Sequence, residues 1–218
     1  MTTENPPWHT VNLVALDLEG SGAQERDQEQ ILEIAAVRLL DGHPDMATAY
    51  TTGIDPGRTI AARPWISSGL AGTALHGQPT LDDIRPALLP RLNSAWLVGH
   101  NIAVDWRLLH RHLPDLTIAG LIDTMRLAKA AAIPGKLGLT DLLTHLQLMT
   151  AVTAAAPGSQ PHRALWDTTG AALLLPALIR RHFTTTPTLE QLTAVAAIPA
   201  TPAHPAAPGT DPRPTLFD

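Results

Sequence analysis

Short apolar runs separated by polar breaks fill the first part of the chain, and longer helical stripes dominate the rest. Val11 to Asp17 (VNLVALD) is an apolar run closed by an acid, the pattern of a buried strand. The polar stretch Gly20 to Glu29 reads as a loop. Ile31 to Leu40 (ILEIAAVRLL) is a second strand, Asp41-Gly42 a hairpin turn, and Met46 to Ile54 the returning strand. Strands in series at the start predict a meander before any helix. Thr80 with Asp83 marks a helix start, and Leu81, Ile84, Leu88 and Leu92 give its apolar stripe. Pro86 predicts that this helix is kinked or short. Ala95 to Gly99 then reads as a strand, Ala103 to Leu113 as a helix and Thr117 to Ile122 as a strand. Thr124 to Ala132 and Leu139 to Leu148 follow as helices.

Thr150 to Pro161, rich in Ala, Thr, Gly, Ser and Pro, reads as a loop. His162 to Phe183 carries a long apolar helix with a bend at Pro176, and Thr188 with Gln191 caps a last helix near Leu189 to Ala197. Beyond Ile198 the prolines crowd together, which predicts an extended, mobile tail. The organisation expected is an N-terminal extension (1–10), one α/β domain (11–183), a short helical segment (184–198) and a Pro-rich tail (199–218).

Composition narrows the function. Hydrophobic residues make up 44% of the 218 positions, enough for a folded core. Cysteine is absent, so disulfide scaffolds and thiolate metal sites are excluded; a metal must sit on oxygen or imidazole. Met1 to Thr10 lacks a basic segment followed by an apolar core. The longest apolar run, Ala171 to Ile179, is too short for a bilayer. A cytoplasmic protein without membrane contact is the expectation. Net charge is −5, from 15 basic and 20 acidic residues, which argues against broad coating of nucleic acid. A metal-dependent enzyme that grips a strand end escapes this argument, because bound cations supply positive charge locally.

Four acids lie inside or against apolar segments. Asp17 and Glu19, in ALDLEGSG, end the first strand. Positions i and i+2 of a strand share a face, about 6–7 Å apart along the chain, so both can converge on one hard cation. An isolated Asp-x-Glu more often caps the loop that follows. In LVGHNIAVDWRLL, Asn101 is placed to cap a helix and Asp105 falls one turn into it, where an acid also serves simple dipole compensation. In PHRALWDTTGAALL, His162 and Asp167 are five residues apart, about 140° around one ideal helix. If His162 instead precedes the helix, its ring can lie over the site that Asp167 enters. A histidine at a helix start is more often a cap or a surface residue. Each signal alone is modest.

Taken in order, ALDLEGSG, VGHNIAVD and HRALWD resemble the three motifs of the DEDDh 3′→5′ exonucleases, the group that includes the proofreading subunit of bacterial DNA polymerase III. The resemblance spans about Val11 to His182. It implies a ribonuclease H-like α/β fold, a mixed central sheet flanked by helices. It also implies that Asp17, Glu19, Asp105 and Asp167 bind two Mg²⁺ or Mn²⁺ ions and that His162 is the general base. Gly20, Ser21, Gly22, His100 and Asn101 are implied substrate contacts, and the implied partner is a nucleic acid with a 3′ end, DNA favoured. Asp123 in IDTMRLA reads as a helix cap, with a site role as the outside reading. Two departures stand out. Gly20-Ser21 occupies the place of two threonines before the glycine, and Val104 stands where a phenylalanine is usual. They bear on substrate preference more than on activity.

An exoribonuclease of the same fold and a non-catalytic module that binds nucleic-acid ends are the rival readings. Trp65, Trp106 and Trp166 are candidates for stacking on bases, although the last two sit on apolar helices that suit a core. The terminal RPTLFD weakly resembles peptides that dock on the bacterial sliding clamp through a Leu-Phe pair, here Leu216-Phe217, without the usual glutamine.

Overall fold

The computed structural model describes residues 5–200. Strand β1 (Leu13–Gly20) pairs antiparallel with β2 (Ile31–Leu40) from Leu13↔Leu39 to Glu19↔Glu33. Asp41 and Gly42 both take positive φ (49° and 80°), the backbone of a tight hairpin turn. The returning strand is not continuous as expected. β3 (His43–Pro44) and β4 (Tyr50–Gly53) pair with different stretches of β2, split by a 3-10 turn over Met46–Thr48. Pro44 has no N–H to continue the ladder, and the Asp45 carboxylate accepts from the Ala47 N–H to start the turn.

Helix α1 (Leu81–Leu92) begins with the expected capping box. The Thr80 hydroxyl accepts from Asp83 N–H, and the Asp83 carboxylate accepts from Thr80 N–H at 2.8 Å. It runs twelve residues through Pro86 and Pro90, against the expectation of a short or kinked helix. Both prolines face solvent, where water can take up the carbonyls that lose a partner. β5 (Trp96–Gly99) then pairs parallel with β1, followed by α2 (Ala103–His112), and β6 (Gly120–Asp123) pairs parallel with β5. α3 (Thr124–Ala130), α4 (Leu139–His145), α5 (Met149–Ala155), α6 (Ala164–His182) and α7 (Leu189–Ala196) complete the helices. α5 occupies part of the segment expected to be a loop; its alanines are strong helix formers, and buried Val152 with partly buried Met149 anchors it on the core. A short β7 (Ala197–Ile198) adds antiparallel to β6.

The sheet order is β3-β2-β1-β5-β6-β7, with β4 also on β2. Strand alternation sends Leu13 and Ala15 to one face, against α6, α3, α4 and α7, and Val14 and Leu16 to the other, against α1 and α2. Asp17 and Glu19 continue the first set, so their parity points toward α6. A smaller cluster, Leu32, Ile60, Leu70 and Leu75, holds the long segment 54–79 to β2. Residues 5–10, in the expected extension, touch the segment before α7 and the start of α7. Trp8 is buried, its N–H bonds to the Pro187 carbonyl, and Leu189 N–H bonds to the Pro6 carbonyl. Among the described residues no helix is long and apolar enough to cross a membrane. The Leu216-Phe217 pair lies outside the described residues.

Candidate active site

The carboxylates gather where β1 leaves the core. Asp17, Glu19 and Asp167 each offer an oxygen within 4.8 Å of the other two. Two come from alternate positions of one strand and the third from the first turn of α6, which crosses the same face of the sheet. Asp105 is not within that close group. It is buried in the first turn of α2, and its Oδ1 accepts the Leu18 N–H at 2.9 Å, between the two strand acids. Four acids from three distant stretches thus converge on one end of β1.

Their electrostatics show the strain of that convergence. Burial, then Asp105, Asp167, Glu19 and Glu33, hold the Asp17 carboxyl well above its ordinary range. Burial pushes Glu19 up to about 7 against a restraining bond from Ser67. Asp105 rises to about 7, again chiefly through burial, and Asp167 to about 6. Carboxyls in this state take up protons or, better, hard cations; an all-oxygen donor set without cysteine fits Mg²⁺ or Mn²⁺.

His162 precedes α6 rather than lying on it. Its φ is +64°, its side chain is exposed, and its N–H points at Asp167 Oδ1 (3.4 Å). What fixes this turn is a pair absent from the sequence reading. Arg163 donates to Glu33 through Nε (2.9 Å) and a terminal nitrogen (2.5 Å), and Glu33 also accepts the Ala164 N–H at 3.0 Å. Glu33 sits opposite Glu19 in the β1–β2 register, yet its charge is taken up by Arg163 and the start of α6. The signal was present: an acid inside the otherwise apolar ILEIAAV.

The expected substrate contacts divide. Ser21 turns inward: its N–H bonds to the Gln30 carbonyl, and its hydroxyl donates to Glu25 and accepts from Gln30 N–H. Both groups thus have partners within the closed turn by which the chain leaves β1. His100 is likewise engaged within the protein. Its Nε2 donates to the Leu137 carbonyl (2.8 Å), its Nδ1 meets the Thr124 hydroxyl (2.9 Å), and burial lowers its pKa. Asn101 does not cap α2. It holds φ +60°, its N–H bonds to Asp123 Oδ1, and its side chain is exposed; the cap position is Ile102. Asp123 caps α3 through the Met125 N–H, the structural reading. Gly20 and Gly22 remain at the rim, Gly22 at φ +111°. Trp106 and Trp166 are core residues, whereas Trp65 is half exposed.

Two further contacts shape the rim. Glu29, buried, takes a two-pronged bond from Arg107 (2.6 and 3.0 Å) and another from Arg111, tying the 20–29 turn to the helix of Asp105. Ser67, in the long segment after β4, donates to Glu19 Oε2 at 2.8 Å.

The chain is similar to known proteins. A family profile, RNase_T, described as exonuclease, matches residues 14–175. The DNA polymerase III subunit epsilon-like protein of Rhodobacter capsulatus is 28% identical over 82% of this chain, and the 3′-5′ exonuclease DinG of Bacillus subtilis is 28% identical over the same share. The chain spans 26% and 19% of those two proteins. A solved structure of exonuclease X in complex with 5′ overhanging duplex DNA superposes with a TM-score of 0.64 at 26% identity, covering 84% of this chain and 98% of that one.

Proposed function

The chain belongs to the RNase T family of exonucleases, and from that premise we propose that it removes nucleotides from the 3′ end of a nucleic acid, DNA in preference to RNA, with two divalent ions. One observation carries the reading: three acids from two elements bring oxygens within 4.8 Å of one another, in partial burial that no structural role explains. A stabilising core does not collect like charges. The DNA preference draws on the relatives, named for DNA polymerase III, and on the solved neighbour with DNA bound.

Asp17, Glu19 and Asp167 hold the ions, with Asp105 completing the set from α2. When bound, Mg²⁺ or Mn²⁺ supplies Lewis acidity and offsets charge on the phosphate. His162, outside the carboxylate group but on the wall of the same cavity as Glu19, takes the proton of the attacking water. Its place before α6 keeps the ring out of the ligand set while leaving it open to solvent. The water oxygen bonds to phosphorus, the P–O3′ bond breaks, the O3′ of the shortened strand takes a proton from solvent, and a nucleoside 5′-monophosphate is released. The exposed Asn101 side chain and the rim glycines Gly20 and Gly22 face the incoming strand.

End-labelled DNA and RNA oligonucleotides of one sequence, incubated with Mg²⁺, Mn²⁺ or EDTA, test this. A 5′-labelled DNA should shorten as a ladder in either metal, faster than the RNA, and stay intact in EDTA. Cleavage that persists in EDTA, or that begins from the 5′ end, rules the reading out.

A further inference from the structure

Four gathered acids attract cations of any kind, and guanidinium groups stand beside them. Arg107 follows Asp105 by two residues on α2, and Arg163 precedes Asp167 by four at the start of α6. Both feel the cluster. The bond to Glu29 first, with a contribution from Asp105, raises the pKa of Arg107; the bond to Glu33 first, with a contribution from Glu19, raises that of Arg163. Yet among the described residues none of Asp17, Glu19, Asp105 and Asp167 forms an ion pair. The arginines bond to Glu25, Asp115, Glu29 and Glu33 instead.

Glu29 and Glu33 are shaped for that capture. Their side chains are only 4% and 8% exposed. Arg107 donates to both oxygens of Glu29, and Arg163 to both oxygens of Glu33. Arg111 adds a further bond at Glu29, and the Ala164 N–H adds one at Glu33. A guanidinium gripped by two parallel bonds is held in one plane and one direction. Glu33 faces Glu19 across the β1–β2 ladder, where opposite side chains start about 5 Å apart. An Arg163 released by Glu33 is therefore within reach of Glu19. Arg107 lies about 200° around α2 from Asp105, so it acts on that acid through its field rather than by contact.

We propose that Glu29 and Glu33 are positioning residues that withhold Arg107 and Arg163 from the carboxylate cluster and so keep its oxygens open to divalent cations. The proposal rests on the metal-dependent reading above. An arginine paired with a glutamate adds no net charge beside the cluster. A released one adds a full positive charge, and at Glu19 it takes the oxygen an ion needs. If the pairs served the fold alone, removing the second partner from a weakened protein would restore nothing. If they serve the cluster, removing the released arginine restores cation binding.

The test is a four-member cycle on the full chain, with Mn²⁺ binding measured by calorimetry at pH 8 and no nucleic acid present. Glu33→Gln should weaken binding about 10-fold. Glu33→Gln combined with Arg163→Gln should return to within about twofold of wild type, although the fork is gone. Arg163→Gln alone should bind Mn²⁺ at least as tightly as wild type. The Glu29 and Arg107 cycle should show the same signs with a smaller loss, about threefold, and it decides the matter if Glu33→Gln does not fold. A double variant as weak as its Glu→Gln parent overturns the proposal, and so does a Glu→Gln protein that binds like wild type. Wild-type protein that binds no Mn²⁺ defeats the metal reading and the proposal with it. Wild-type protein that binds Mn²⁺ but cuts no 3′ end sinks the nuclease reading alone, and the cycle still decides.

Discussion

At the scale of single residues, the site depends on where a side chain starts as much as on what it is. His162 sits at φ +64°, a conformation that alanine resists and asparagine tolerates. His162→Asn is therefore the cleaner variant: turnover should fall at least 100-fold, while Mn²⁺ binding by calorimetry stays near wild type. Normal turnover would remove His162 from the reaction. Glu33 is the residue to test for positioning. Glu33→Gln leaves Arg163 without its two-pronged partner; stability should drop by about 2 kcal/mol, below the range for fully buried pairs because Arg163 is a third exposed. Its kcat should fall with KM little changed, as the His162 turn loosens. A KM effect without a kcat effect would assign the pair to substrate binding instead.

Among elements, periodicity foretold most of what is found. β2 matches its apolar run residue for residue, α1 and α7 start at their capping boxes, and α2 and α6 lie where their stripes ran. Thr80→Ala should lower stability by about 1 kcal/mol in chemical denaturation; no change would mean that the box is dispensable. What pattern could not reveal is pairing over distance. β7 is two residues long and exists because β6 offers an edge. The break between β3 and β4 follows from Pro44 and the Asp45 cap, which a window tuned to hydrophobicity passes over. The carboxylates were readable because two share a strand and the others fall at helix starts. The Glu33–Arg163 pair was not, since its partners are 130 residues apart. Ser21 and His100, which the family resemblance implies as substrate contacts, make their side-chain hydrogen bonds within the protein, to partners that the motifs do not contain.

For the molecule as a whole, the acid cluster links stability to pH and metal. Glu19 and Asp105 near 7 and Asp167 near 6 bind protons in the folded chain that they release on unfolding, where carboxyls titrate near 4. Stability without metal should therefore be greatest toward pH 5 and fall as pH rises through about 7. His100, with its lowered pKa, works the opposite way but is one group against several. Asp55 and Asp83, whose pKa values are depressed, contribute fully by pH 5 and do not alter the window. Melting curves in EDTA from pH 5 to pH 8 check the slope. Added Mn²⁺ should raise Tm most at pH 8, where ions need displace the fewest protons; a Tm that climbs with pH in EDTA would count against the cluster. Two segments flanking the sheet, meanwhile, differ in what they border. Asn5 to Thr10 packs on α7 and the Asp41-Gly42 turn, about 20 Å along β1 from Glu19. The Ala200 carbonyl instead accepts from the Trp106 indole, on the residue after Asp105. A substitution that disturbs the backbone at Ala200 is therefore felt on the helix that carries Asp105, whereas one at Asn5 is felt at the opposite end of β1.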